Sequence, residues 1–329
     1  MALNGTIGRV DSLLGERRFD EAAKLLFAAA GAGETAAIAE LANWRIAGNL
    51  IRRDLAEARR LLSAAASRGD EGSALLHAAF LAAGVGGPDD WPGALGALRA
   101  LAHRSPRAKA QLDLIEAMAL GEDGFPARPI GRQSLGDSPE AYCARHFLSR
   151  AECDYLKSTA EPGLQPSVVV DPASRQLVPH PIRKSDGALF GVYAEDLVVN
   201  ALNRRMAALS GTRPEQGEPL QILRYRPGGE YKPHLDALPA EANQRVLTLL
   251  VYLSDDYEGG ETHFPKTGLT FRGRTGDALL FRNAGPDGRP DPLSLHAGLP
   301  VKKGTKYLAS RWIRAETFTY PAPKPILDL

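Results

Sequence analysis

A period of 36 residues runs through the first third of this chain, and nothing else narrows its fold as far. Ala22, Ala58 and Ala94 stand one period apart, as do Leu26, Leu62 and Leu98, and Ala30, Ala66 and Ala102. Ala74 and Ala110 keep the step, with the larger Ile38 one period earlier, and so do the pairs Gly48/Gly84 and Asp54/Asp90. A fixed period in the thirties means stacked helical hairpins, each burying the apolar face of the next. The alanines let helices approach closely, and Gly48 and Gly84 suit the turns between paired helices. Pro106 interrupts the third copy. An α-helical repeat array is expected over residues 1–125.

With 329 residues there is room for a second domain. Residues 126–142 fall in a stretch dense in Gly and Pro with little apolar periodicity, and read as a linker. The register then changes, and residues 143–329 read as one domain. Ser149 is placed to cap an amphipathic helix over Arg150–Ser158, and Ser167–Asp171 reads as a strand. Tyr193–Leu209 has apolar residues at helical spacing. Beyond it the chain is mostly β, with candidate strands Leu220–Tyr225, Val246–Leu253, Ala278–Phe281, Leu295–Leu299 and Tyr307–Arg314. Gly and Pro clusters separate them, as in a sandwich or jelly roll.

Charge and composition exclude several roles. Forty basic residues face thirty-nine acidic ones, a net charge of +1, which offers no footprint for nucleic acid or an anionic membrane. The N-terminal MALNGTIGRV lacks a basic region followed by an apolar core, and no apolar run approaches a bilayer span. Cys143 and Cys153 lack metal-ligand spacing and make no disulfide framework. A cytoplasmic protein with ordinary thiols is expected, with neither a nucleic-acid nor a membrane partner.

The chemistry concentrates in His234-Leu235-Asp236, followed by His296 and then Lys306. A His and a carboxylate two positions apart project to one face of a β-strand. A second His from a distant strand would complete two histidines and one carboxylate, the facial set of non-heme Fe(II) oxygenases, which leaves metal positions open. A cation ten residues beyond the distal His could hold an acidic cosubstrate.

The surrounding residues carry a resemblance. Tyr225-Arg226-Pro227-Gly228-Gly229-Glu230-Tyr231-Lys232-Pro233-His234-Leu235-Asp236 resembles the Y-x-P-G-x-x-Y-x-x-H-x-D signature of prolyl 4-hydroxylase-like 2-oxoglutarate/Fe(II) dioxygenases. The likeness continues through Arg245–Leu253, Tyr257–Phe264, Gly276–Phe281, Ser294–Val301, Gly304–Tyr307 and Arg311–Arg314, in family order. It covers residues 143 to 315 and implies a double-stranded β-helix with flanking helices, behind the helical array. Residues 15 to 120 resemble the Sel-one-like subclass of tetratricopeptide repeats.

From the first resemblance, His234, Asp236 and His296 would hold Fe(II) and Lys306 would pair with the distal carboxylate of 2-oxoglutarate. Tyr225 and Thr262 would help hold that cosubstrate, with Tyr252 in its pocket wall. Arg245 and Trp312 would meet the substrate, as would Arg183 of an Arg183/Ser185 pair near the entrance. O₂ is the second cosubstrate, and the family admits ascorbate as a further cofactor. The implied reaction hydroxylates an unactivated C–H, of a prolyl residue in a peptide or protein, while 2-oxoglutarate becomes succinate and CO₂. The helical array would help dock that protein. A free amino acid or small metabolite as substrate, or a sensor that no longer turns over, are the alternatives. His263 should point away if Thr262 faces the pocket, and His180 is a weaker substrate-side candidate.

Overall fold

The structure, a computed structural model, describes residues 5–170, 177–179, 181–191 and 195–329. Its contacts divide the chain into two units: Met1–Gly124 with Val192–Ala201 and Thr319–Leu329, and Phe125–Gly191 with Leu202–Phe318.

The first unit is helical, and its helices keep the sequence period. Phe19–Gly31, Leu55–Ser67 and Trp91–Ala102 begin 36 residues apart, and Thr35–Ala47, Glu71–Ala83 and Pro106–Ala117 alternate with them. Asp54 and Asp90 cap the second and third of the first series, accepting from the backbone N–H of Glu57 and Gly93 at 2.8 Å each. Gly48 and Gly84 end the preceding helices with φ of 71° and 64°, a left-handed conformation that costs glycine nothing. Ala22, Ala58 and Ala94 are fully buried at the helix contacts, with Leu26, Leu62 and Leu98 beside them. Pro106 does not break the third copy. It opens the Pro106–Ala117 helix behind its Ser105 cap, where a missing N–H costs no hydrogen bond.

Two stretches differ from expectation. The tail 319–329 groups with the helices: Ile326 and Leu327 N–H donate to the carbonyls of Asn49 and Leu50, and Leu327 packs on the cluster of Leu41 and Trp44. Nothing in so short an apolar patch says which core it joins. The stretch 126–142 holds the Gln133–Asp137 strand and most of Glu140–Ala144, which extend the main sheet of the second unit. Gln133–Asp137 is an edge strand that buries none of its residues, so it lacks the alternation by which strands are recognised.

The second unit is a double-stranded β-helix. Among the described residues, one antiparallel sheet runs in the order Gln133–Asp137, Glu140–Ala144, Ala278–Arg282, Arg245–Tyr252, Lys306–Arg314, Leu220–Tyr225, Asp186–Phe190 and Gln165–Pro166. A smaller sheet runs Thr270–Phe271, Thr262–His263, His296–Gly298, Glu230–His234 and Arg183–Lys184. Leu223, Leu250, Tyr252, Phe264, Phe281 and Leu308 form the core of this unit. The Arg150–Ala160 helix carries the expected Ser149 cap as a full capping box with Glu152, and the Leu197–Ser210 helix contributes its residues from Leu202 on to this unit. Cys143 and Cys153 are buried free thiols. No helix among the described residues is long and apolar enough to cross a membrane.

Candidate metal centre

His234 and His296 are register partners on neighbouring antiparallel strands, so the pairing itself brings the rings together, with centroids 4.3 Å apart. Asp236 completes the set. Its Oδ1 lies 3.5 Å from His234 Nε2 and its Oδ2 lies 3.7 Å from His296 Nε2. One ligand atom from each residue falls within 4.8 Å of the others. The strand argument for His234 and Asp236 holds only in part. The strand ends at His234, and Asp236 reaches the same point from the bend that follows.

Hydrogen bonds orient each of the three. Nδ1–H of His234 donates to the Lys232 carbonyl at 2.8 Å, and Nδ1–H of His296 donates to that of Ser294 at 3.0 Å. In a neutral imidazole this leaves the lone pair on Nε2, the atom turned toward Asp236. Burial pushes the His296 ring down to about 4, so it stays neutral and able to ligate. Burial alone would raise the Asp236 carboxyl. The neighbouring histidines and the Thr248 hydroxyl outweigh it and hold the group well below the usual carboxylate range. Thr248 donates to Asp236 Oδ2 at 2.6 Å and accepts from Asn283 Nδ2 at 2.8 Å. The Tyr231 ring stacks on His234 with centroids 3.5 Å apart.

The three residues open into a narrow chamber between the two sheets. Lys306, Leu308, Ser310 and Trp312 line it from alternate positions of one strand, as a pleat of period two requires. Tyr225, directly opposite Lys306 in register, and Thr262 line it too. Lys306 is 2% exposed and forms no ion pair among the described residues. Its ammonium donates to the Gly260 carbonyl at 2.7 Å and lies 5.5 Å and 5.2 Å from the Tyr225 and Tyr252 ring centroids. Burial pushes the lysine down to about 7, partly offset by Glu261. Gly259 and Gly260 make the expected tight turn before Thr262, with φ of 74° and 69°. A Cβ on Gly260 would come within 3.3 Å of Lys306 Cδ.

The other candidates divide. Arg183 and Trp312 line the chamber. Tyr252 is fully buried and is not among the lining residues; its hydroxyl meets that of Thr262 at 2.7 Å, so it backs the wall instead of forming it. Arg245 also stands off the wall. Glu218 takes its guanidinium in a two-pronged ion pair at 2.6 and 2.8 Å, and its flat face lies 3.8 Å from the Trp312 ring centroid. His263 turns away from the chamber to Thr270, as strand alternation requires once Thr262 faces in. His180 lies outside the described residues.

Sequence reading missed Thr248, Asn283, Tyr231, Leu250 and Ser310 as site residues. Ser310 was recoverable from strand periodicity, lying between Lys306 and Trp312 at even spacing. Asn283 was not, because its role depends on a contact across 35 residues of chain.

The donor set fits Fe(II): two imidazole nitrogens and one carboxylate oxygen, oriented from behind and facing open space. The buried, unpaired lysine beside it fits a dicarboxylic acid. Comparison with known proteins agrees. Residues 220–314 match the 2OG-Fe(II) oxygenase superfamily. Prolyl 4-hydroxylase 1 of Arabidopsis thaliana is 40% identical over 197 residues, covering 54% of this chain and 69% of that protein. Probable prolyl 4-hydroxylase 3 of the same plant is 37% identical over 203 residues, covering 54% and 70%. A viral collagen prolyl hydroxylase of Paramecium bursaria Chlorella virus-1, solved with 2-oxoglutarate, is 30% identical with a TM-score of 0.45, covering 55% of this chain and 99% of that one. The chain belongs to the prolyl 4-hydroxylase family of 2-oxoglutarate- and Fe(II)-dependent oxygenases, and is an oxidoreductase that uses both groups.

Proposed function

We propose that this protein hydroxylates a prolyl residue within a peptide or protein, with His234, Asp236 and His296 holding the iron and Lys306 anchoring 2-oxoglutarate. The observation that carries this reading is the buried lysine, without an ion pair, on the same chamber as an oriented His-Asp-His set. Bound together, Fe(II) and 2-oxoglutarate supply the oxidation: O₂ gives one oxygen to succinate and one to the substrate C–H, with release of CO₂.

The protein's own residues bind and orient. The Lys306 ammonium forms a charge-assisted contact with the distal carboxylate in a site that excludes water, where such a contact is stronger than at a surface. If Tyr252 donates to Thr262, the threonine keeps its own proton for that carboxylate, and the Tyr225 hydroxyl can add a second donor. Trp312 and Arg183, which line the chamber, would meet the substrate. Arg245 acts one step back, by holding the Trp312 ring. The helical units, which resemble Sel-one-like repeats, offer a docking surface for a protein substrate.

Incubation with Fe(II), 2-oxoglutarate and proline-containing peptides should yield succinate in step with a one-oxygen mass gain on proline. Succinate formed with free proline or small metabolites but not with peptides would refute the peptide reading. If the array docks substrate, a whole protein should show a lower KM than a short peptide carrying the same site; equal values would remove that role.

A further inference from the structure

Outside the chamber lies a second cavity, a cleft of about 520 Å³ that shares Arg183 with it. Five cations line the cleft, Arg183, Lys184, Arg224, Arg226 and Lys232, against two carboxylates, Asp186 and Glu230, an excess of three positive charges. On a chain whose net charge is +1, that is a local concentration. Asp186 is already committed, to Arg224 at 2.9 Å and to Arg226, and Arg224 also pairs with Glu161 from outside the lining, which lowers the local excess to two. Lys184 and Lys232 are exposed and form no ion pair among the described residues. Glu230 faces Lys184 in register and offsets part of its charge, which leaves Lys232 as the least compensated cation. The same lining is apolar between the charges: Pro166, Pro181, Pro227 and Ile182, the last 36% exposed. Neutral, donor-poor surface of this kind suits side chains of an extended peptide better than a run of phosphates, which would call for cations throughout.

We propose that this cleft selects acidic residues flanking the target prolyl, so that the preferred substrate is an Asp- or Glu-bearing segment of a protein. The proposal rests on the peptide-hydroxylase reading above. Arg183 joins the cleft to the chamber, so a chain seated in the cleft leads directly to the metal centre. Lys184 and Lys232 act as exposed charges, each contributing roughly a two- to fivefold change in KM. Their effect is screened by salt, because the Debye length is about 10 Å at 0.1 M and shortens as salt is added.

Three peptides sharing one prolyl core and flanked by Glu, Gln or Lys test this. Turnover is read as succinate formation. Binding is read separately by fluorescence anisotropy with Mn(II) in place of Fe(II), which reports docking without reaction. The native protein should rank Glu over Gln over Lys in both, through KM more than kcat, with the spread closing at high salt. The double charge reversal K184E/K232E, checked for folding by circular dichroism and for 2-oxoglutarate binding, should favour the Lys-flanked peptide. Equal kcat/KM for the three peptides would overturn the acidic preference and leave prolyl hydroxylation standing. Charge-ranked binding with no hydroxylation would support the cleft and refute the prolyl reading. A single-stranded oligonucleotide that binds the native protein more tightly than the Glu peptide, and loses that binding in K184E/K232E, would overturn a peptide as the occupant.

Discussion

Replacing Thr248 by valine keeps the shape of a fully buried side chain and deletes one hydroxyl. That hydroxyl serves two partners, donating to Asp236 Oδ2 at 2.6 Å and accepting from Asn283 Nδ2 at 2.8 Å. Asn283 is itself fully buried, and its Nδ2 would lose this acceptor. Two costs follow. A hydrogen bond to a charged acceptor is worth about 1.5–3 kcal/mol, and an orphaned buried donor costs about 1–3 kcal/mol more. For metal binding two effects oppose each other. Losing a donor makes the carboxylate more basic, which strengthens its bond to a cation. It also frees the carboxylate to rotate away from the two Nε2 atoms. Removing such supporting partners typically lowers metal affinity 10–100-fold, so orientation outweighs basicity. Titration with Mn(II) or Co(II), followed by calorimetry, should show T248V weakened by that factor. T248S, which keeps the hydroxyl, should bind within about threefold of the native protein, since the bond that orients Asp236 is retained. A folded T248V that binds metal as tightly as the native protein would refute the idea that this hydroxyl sets the aspartate.

Other consequences are open to measurement. Lys306→Ala should raise the KM for 2-oxoglutarate by two orders of magnitude or so, since truncating one partner of a buried charge pair costs about 2–5 kcal/mol, while Mn(II) affinity stays near native. The free lysine, pushed down to about 7, must be protonated to hold a carboxylate. The bound anion favours that charge, so affinity for 2-oxoglutarate is full below this pH and falls up to about tenfold per unit above it; calorimetry across the pH range checks the sign, and a flat profile would contradict it. Gly260→Ala places a Cβ 3.1 Å from Tyr257 and 3.3 Å from Lys306 at a φ of +69°, so thermal unfolding should show a loss of at least about 1–2 kcal/mol from the left-handed backbone alone. In the helical unit, Asp90→Ala removes a cap on the Gly93 N–H and should cost about 1 kcal/mol by chemical denaturation.

The sequence made some parts of this molecule readable and hid others, and the division is physical. Repetition exposed the helical array, because equal packing at Ala22, Ala58 and Ala94 demands equal residues at equal spacing. Alternation exposed the central strands: Leu220–Tyr225 was bounded as observed, and the neighbours to within a residue or two. Resemblance, added to the spacing of His234, Asp236 and His296, marked the metal set before any coordinate. Three kinds of feature stayed hidden. The Gln133–Asp137 strand sits at a sheet edge with no buried face, and so left no pattern. The tail at Leu327 docks through three backbone bonds that any residue could make and one short apolar contact. The partner of Arg245 was invisible, because Glu218 lies 27 positions away and a surface arginine looks the same whether its guanidinium is free or taken.

That last case changes how Arg245 could act on the proposed substrate. An arginine meeting a peptide directly would present an open guanidinium fork, but Glu218 occupies the fork of Arg245 from Nε to Nη2, and the remaining flat face rests on Trp312. Any influence of Arg245 on the proposed substrate would therefore pass through the indole. Trp312 sits at the far end of the same strand face as Lys306, with Leu308 and Ser310 between them. One pleated strand thus fixes both the buried lysine and the aromatic wall, and a slip of one residue in its pairing would turn all four side chains out of the chamber at once. On this reasoning Glu218→Gln should weaken the ion pair and loosen the Trp312 ring, raising the KM for peptide while leaving that for 2-oxoglutarate unchanged. A rise in both would mean that the strand itself had moved, through Arg314, which also donates to Glu218 Oε1 at 2.5 Å from the end of that strand.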